Sequence, residues 1–175
     1  MSVTINGSAG VTTNSGAVYN GLQTGTAVSA SGTSVTFTSI PSWVKRITVM
    51  FSGVSTNGSS VYLIQLGAGS VTTSGYLGSS GGAANGGASS VASSTAGMPI
   101  FNDTGTANIL HGIMLINNIT GNTWVSGHNI ARSNQAVYIS GGSSIALGGT
   151  LGRVRITTVN GTDTFDAGTI NIIYE

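Results

Sequence analysis

The sequence predicts an all-β protein: an antiparallel β-sandwich, jelly-roll-like, with an extended N-terminal arm. Three observations predict it. Ile47, Val49 and Phe51 alternate with Arg46, Thr48 and Met50, and Val154 and Ile156 alternate with Arg153 and Arg155, the period of half-buried strands. Short apolar runs recur between Gly-, Asn- and Ser-rich turn signals, at the spacing of sandwiches and jelly rolls. No stretch combines a 3.6-residue apolar period with helix caps, and no internal repeat points to a β-helix or propeller.

Taken in order, residues 1–24 read as a docking arm. Val3-Thr4-Ile5 forms one short strand there, and Gly7, Gly10, Gly16 and Gly21 break any longer run. The sandwich occupies residues 25–175. Residues 26–30 and 34–38 are expected to form a hairpin turned at Ser31-Gly32-Thr33. The loop Ile40-Pro41-Ser42-Trp43 then leads into a strand over 46–54. Asn57-Gly58 suits positive φ in the polar loop 55–60, and a strand over 61–66 follows.

A strand over 71–77 is expected to give way to a long loop, because residues 79–90 have the composition of a flexible linker. Strands of the same character resume afterwards, so this is no domain boundary, and a loop of that length is expected to be functional or mobile. Pro99-Ile100-Phe101 re-enters the core. Strands over 110–117 and 123–131 flank a turn. Residues 137–140 and 144–147 are expected to pair across a Gly141-Gly142 turn. A strand over 151–158, a loop over 160–166 and a closing strand over 169–174 bring the count to about eight to ten.

The composition restricts function. Charged residues make up 5% of the chain, against roughly 25% in average globular proteins. The net charge is only +1 and 39% of residues are hydrophobic, so the chain is not a charge-swollen disordered one. A surface this poor in charge lacks the usual guards against edge-to-edge strand pairing, and a symmetric oligomer is the expected remedy. Five cations cannot form the basic stripe that nucleic acid requires. Zero cysteines exclude disulfides and thiolate metal sites. No apolar run approaches the ~20 residues of a membrane span, and Met1-Ser2-Val3-Thr4-Ile5-Asn6 lacks the features of a signal peptide.

Candidate chemistry is sparse. Asp163 and Asp166 are an acid pair on one loop, too close in sequence to face each other across a sugar bond as glycosidase carboxylates do. A calcium site there is the better-motivated alternative, against the ordinary reading of turn-forming aspartates. His111 and His128 have no His or Glu partner at ligand spacing and are expected to be structural. No Gly-x-Ser-x-Gly elbow or phosphate loop is present. Trp43, Trp124, Tyr19, Tyr62, Tyr76 and Tyr138 are either sugar platforms or, as more usual, core and interface residues. Lys45, Arg46, Arg153 and Arg155 are expected to meet Asp163, Asp166 and Glu175, several of them at a subunit interface. The residues therefore point to a non-enzymatic protein without metal or cofactor.

Three stretches carry a resemblance. They are residues 40–59 (Ile-Pro-Ser-Trp-Val-Lys-Arg onward), Gly121-Asn122-Thr123-Trp124-Val125-Ser126-Gly127, and the closing residues 151–175. Together they resemble a domain of tailed-phage structural proteins, found at the ends of tail-fibre polypeptides and as short free-standing proteins. The resemblance spans roughly residues 25–175 and implies a virion protein. Such a protein is expected to be a trimeric tail-fibre appendage that contacts the host surface, a host glycan included, and is joined to a separate fibre shaft. The alternative is a cement protein that clamps the major capsid protein at threefold positions through residues 1–24. Candidate partner or receptor contacts are Trp43, Asn57, Ser59, Asn85, Arg153 and Arg155, and the loops 55–60 and 79–90.

Overall fold

Sixteen strands, with no helix, make up the described part of the computed structural model. It describes residues 21–84, 87, 89–101 and 108–175, and the backbone of 3–6, 10–13 and 18–19. The short strands β1 (Val3–Asn6), β2 (Gly10–Thr13) and β3 (Val18–Tyr19) form a small antiparallel sheet in the order β1-β2-β3. The leader thus holds more than the one strand expected.

Thirteen strands build the sandwich. They are β4 (Gln23–Thr24), β5 (Val28–Ser29), β6 (Val35–Thr38), β7 (Arg46–Thr56), β8 (Tyr62–Gly67), β9 (Leu77–Ala84), β10 (Ser90–Ser93), β11 (Met98–Ile100), β12 (Leu110–Thr120), β13 (Thr123–Arg132), β14 (Val137–Ala146), β15 (Arg153–Thr158) and β16 (Phe165–Tyr174). The larger sheet runs β10-β9-β14-β13-β12-β7-β16-β4, with β5 also on β16; the smaller runs β11-β8-β15-β6. All pairings are antiparallel. From β6 to β9 the chain alternates between sheets, and it does so again at β11, β12, β15 and β16. This crossing gives the sandwich its jelly-roll-like character.

The inward residues of both sheets meet in one core. Ile47, Val49, Met114, Ile116, Ile170 and Ile172 come from the larger sheet, Ile64, Leu66, Val154 and Ile156 from the smaller. The alternation that marks β7 and β15 is therefore the alternation between core and outer face.

Four expectations are corrected. Residues 26–30 and 34–38 form no hairpin: β5 lies on β16, while β6 lies on β15 in the other sheet. The run at 31–33 is thus a crossing between layers, with Gly32 at φ 68°. Residues 71–77 form no strand beyond Leu77, where β9 begins. Residues 79–84 of the Gly/Ser-rich run belong instead to β9, laid between β14 and β10. Its inward positions are Ser80 and Gly82, because Phe101 closes over Gly82 and leaves little room for a side chain. Finally, Gly141-Gly142 does not turn. Residues 137–146 are one strand, and a Cβ at Gly141 would strike the backbone of β9 and the ring of His128.

Bulges bend one end of the larger sheet. Register shifts occur in β12 against β7 and in β16 against β7. Gly53 (φ 67°) and Gly168 (φ 91°) face each other there at backbone contact, a place only glycine fits.

Candidate functional site

The outer face of the larger sheet is the most distinctive surface of the described chain. The registers place Met50 of β7, Ile113 and Leu115 of β12, Val125 and Asn129 of β13, and Tyr138 and Ser140 of β14 on one side. Gly81 and Leu77 of β9 and Val91 of β10 continue it. Leu77 is 71% exposed, Tyr138 64% and Ile113 42%. From Met50 to Val91 no Lys, Arg, Asp or Glu occupies an outward position. In its centre Gly127 pairs with Gly142, and Gly127 and Gly141 floor a depression of about 370 Å³ walled by Ile113, Leu115 and Ser140. Exposed apolar side chains around a glycine floor, with no charge to solvate, are what a packed protein interface needs.

At one pole, loops hold each other by hydrogen bonds. Asp163 accepts from the Ser60 backbone N–H (2.9 Å) and the Asn160 amide (2.6 Å). Thr158 donates its hydroxyl to Asn160 Oδ1 (2.9 Å), and Asn57 Oδ1 accepts from Thr164 N–H (2.9 Å). Asp166 is taken by the Ser55 hydroxyl. The two aspartates are thus turn-fixing groups, and no cluster of three or more His, Cys, Asp or Glu that could hold a metal occurs among the described residues. Asn57 is a structural contact across two loops, while Ser59 stays exposed beside it.

Trp43 lies at the opposite end of β7 from Asn57. It is half-buried, with its ring 6.0 Å from that of Tyr174. Next to it Arg46 pairs with Glu175 within the chain, and Lys45 Nζ donates to Asn118 Oδ1 (3.3 Å). The expected network of cations with Asp163, Asp166 and Glu175 therefore reduces to this one ion pair among the described residues. Of the aromatics with described side chains, Tyr62, Tyr76 and Trp124 are core and Tyr138 is exposed. Tyr19 and Asn85 lie outside the described side chains.

Both histidines are structural. His111 Nδ1 accepts the Gly53 N–H (3.2 Å), and its Nε2 faces the Ser133 hydroxyl (3.2 Å), which ties the bulged strands together. His128 is buried on the inner face of β13. Its Nε2 lies 2.9 Å from Ser80 Oγ, which accepts from the Phe101 N–H (2.9 Å). Burial pushes the His128 imidazole down to about 4, so it is neutral at pH 7. Burial likewise pushes the Tyr76 phenol up to about 12. It accepts the Leu66 N–H (2.7 Å) and donates to Thr72 O (3.1 Å) where β8 runs past β11.

Arg153 and Arg155 point outward from β15 in the smaller sheet. Arg155 Nε and Nη2 both donate to Gln65 Oε1 (2.8 and 2.6 Å), and Gln65 Nε2 donates to Ala96 O (2.7 Å). Arg155 lines a pocket of about 300 Å³ with Thr33, Ser34, Thr73 and Leu63. The candidate contacts therefore fall on separate regions: Asn57 and Ser59 at one pole, Trp43 at the other, and the arginines on the smaller sheet.

Reasoning from the sequence missed the outer face of the larger sheet. Its signal is the lack of charge at alternate positions of β12, β13 and β14, hidden when β9 and half of β14 are read as loop and turn. No family model, curated protein or solved structure matches this chain. No helix of the described chain is long and apolar enough to cross a membrane.

Proposed function

We propose that this chain is a non-enzymatic structural protein of a phage virion. It assembles as a homotrimer and serves as a tail-fibre appendage that contacts the host surface. One observation carries the assembly: the charge-free patch from Met50 to Val91 on the outer face of the larger sheet, clear of Arg46 at the start of β7, with Leu77, Ile113 and Tyr138 exposed on it. An isolated chain leaves that apolar surface in water; packing between copies removes it. The virion setting rests on the resemblance of residues 40–59, 121–127 and 151–175 to tailed-phage structural domains. It is consistent with this reading that, among the described residues, Asp163, Asp166 and both histidines are engaged in holding loops and strands.

The test is the copy number of the protein in purified virions, measured by quantitative mass spectrometry against the major capsid protein. A few tens of copies or fewer place it on the tail. Copies on the order of hundreds, matching capsomer threefold sites, make it a cement protein instead. Absence from the particle overturns both. Light scattering at micromolar concentration tests the assembly separately, and a monodisperse monomer refutes the trimer.

A further inference from the structure

The smaller sheet carries a feature that assembly through the larger sheet leaves unused. Arg155 and Arg153 stand two residues apart on the same side of β15, about 7 Å along the strand. Neither has a carboxylate partner among the described residues. Asp163 and Asp166 are bound at the loop pole, and Glu175 pairs with Arg46. Arg153 Nε is buried and has no hydrogen-bond partner among the described residues. Two guanidiniums on one face with no counter-charge among the described residues are unexpected on stability grounds in a chain with five cations.

Arg155 is also held in position. Gln65 Oε1 takes both Nε and Nη2, and Gln65 is itself fixed by Ala96 O and is only 4% exposed. This occupies the Nε–Nη2 edge of the guanidinium. The other edge, Nη1 with the second Nη2 hydrogen, has no partner among the described residues. That free edge is the fork that grips a carboxylate with two parallel hydrogen bonds. Fixing the fork in advance lowers the entropy lost on binding.

The walls indicate what accompanies the carboxylate. Thr33, Ser34 and Thr73 line the same pocket beside Leu63, Ala96 and Val159, and their hydroxyls make no hydrogen bond to the described chain. A fixed anion fork among hydroxyl-bearing residues, with Leu63, Ala96 and Val159 beside them, matches a sugar acid, whose ring edge carries hydroxyls and whose ring face carries C–H groups. We infer that the Arg155 pocket on the smaller sheet binds an acidic saccharide, with Arg155 gripping the sugar carboxylate and Thr33, Ser34 and Thr73 hydrogen-bonding the ring. This deepens the proposed function and rests on it only for the source of the sugar, a host-surface glycan.

The experiment is a ligand-observed NMR titration of the full chain with D-glucuronate, with D-glucose and N-acetylglycine in parallel. Glucuronate is expected to bind saturably, with a dissociation constant on the order of millimolar, as suits a single small sugar. Glucose is expected not to bind. Arg155→Gln is expected to weaken glucuronate roughly tenfold or more. Arg155→Lys keeps charge and stem while losing the fork, so it puts the same question should the glutamine variant not fold. No saturable binding of glucuronate overturns the proposal, as does an unchanged affinity in Arg155→Lys. N-acetylglycine binding as tightly as glucuronate overturns the sugar assignment. The titration uses isolated protein, so its failure leaves the virion copy number untouched, and absence from virions leaves a binding curve untouched.

Discussion

The two sheets share one core but finish their outer faces in opposite ways. On the smaller sheet the outward residues Leu63, Gln65 and Thr157 are almost inaccessible, and Gln65 ties Arg155 to Ala96 at the entrance to β11. That face is covered largely by its own chain and holds Arg155 in a fixed position. On the larger sheet the outward residues Leu77, Ile113, Leu115 and Tyr138 stand in solvent above a glycine floor, with no charge among them. The difference teaches where each face gets its partner. One is covered largely by its own chain, apart from the Arg155 pocket, and the other leaves apolar area in water at a cost of about 25 cal/mol per Å², the area that the proposed assembly would cover.

The largest expected effect breaks that contrast outright. Placing like charges on the larger face, Ile113→Lys with Leu115→Lys, is expected to dissociate the oligomer, since juxtaposed like charges cost several kcal/mol. Light scattering then reads a fall from three times the 17.4 kDa chain mass to one. The thermal midpoint of the subunit shifts little, because both side chains already face solvent. A monomeric wild type removes the contrast between the faces.

The second effect concerns the inner side of the larger sheet. His128 has its folded-state pKa lowered from 6.5 to about 4 by burial. The unfolded chain therefore binds the proton first, and stability is complete above pH 6.5. It is lost as pH falls from 6.5 to 4, by about 3 kcal/mol in all, and this group adds no further change below that. Denaturant titrations at pH 7 and pH 4.5 measure it, and His128→Gln is expected to flatten the difference.

A third test sharpens the account of the smaller face. Gln65→Met keeps the volume but removes the acceptor of Arg155 and the donor to Ala96, at a cost of about 2 kcal/mol. The mass in solution should not change, since the proposed assembly uses the larger sheet. The smallest effect lies in the crossing between sheets. Ser39 follows β6 with φ 60°, a region that disfavours residues with a Cβ. Ser39→Gly is expected to leave stability level or raise it by up to about 1 kcal/mol, read as a small rise in thermal midpoint.

Much of the fold is legible in the chain before it folds. The strands with clean apolar alternation, β7 and β15, lie close to their expected bounds, and so do β12 and β13 around their turn at Gly121. Each of these buries large side chains at every second position, which is a local signal. β9 escapes such a reading because its inward positions are Ser80 and Gly82, so it has no apolar period to detect. The Val28–Ser29 and Val35–Thr38 segments look like a hairpin because nothing in a turn of Ser-Gly-Thr says which sheet each arm will join.

By itself the sequence determined the class of the fold, the absence of a basic surface and the poverty of catalytic groups. These follow from composition and from period-two patterning, both of which belong to short stretches of chain. Only the tertiary structure decided which outward positions line up into one uncharged face. It alone also brought Gln65 against Arg155, ninety residues apart, and left the far edge of that guanidinium without a partner among the described residues. The physical reason is that strand register and sheet membership are set by long-range packing, and the side chains that meet across strands carry no mark of each other in the sequence.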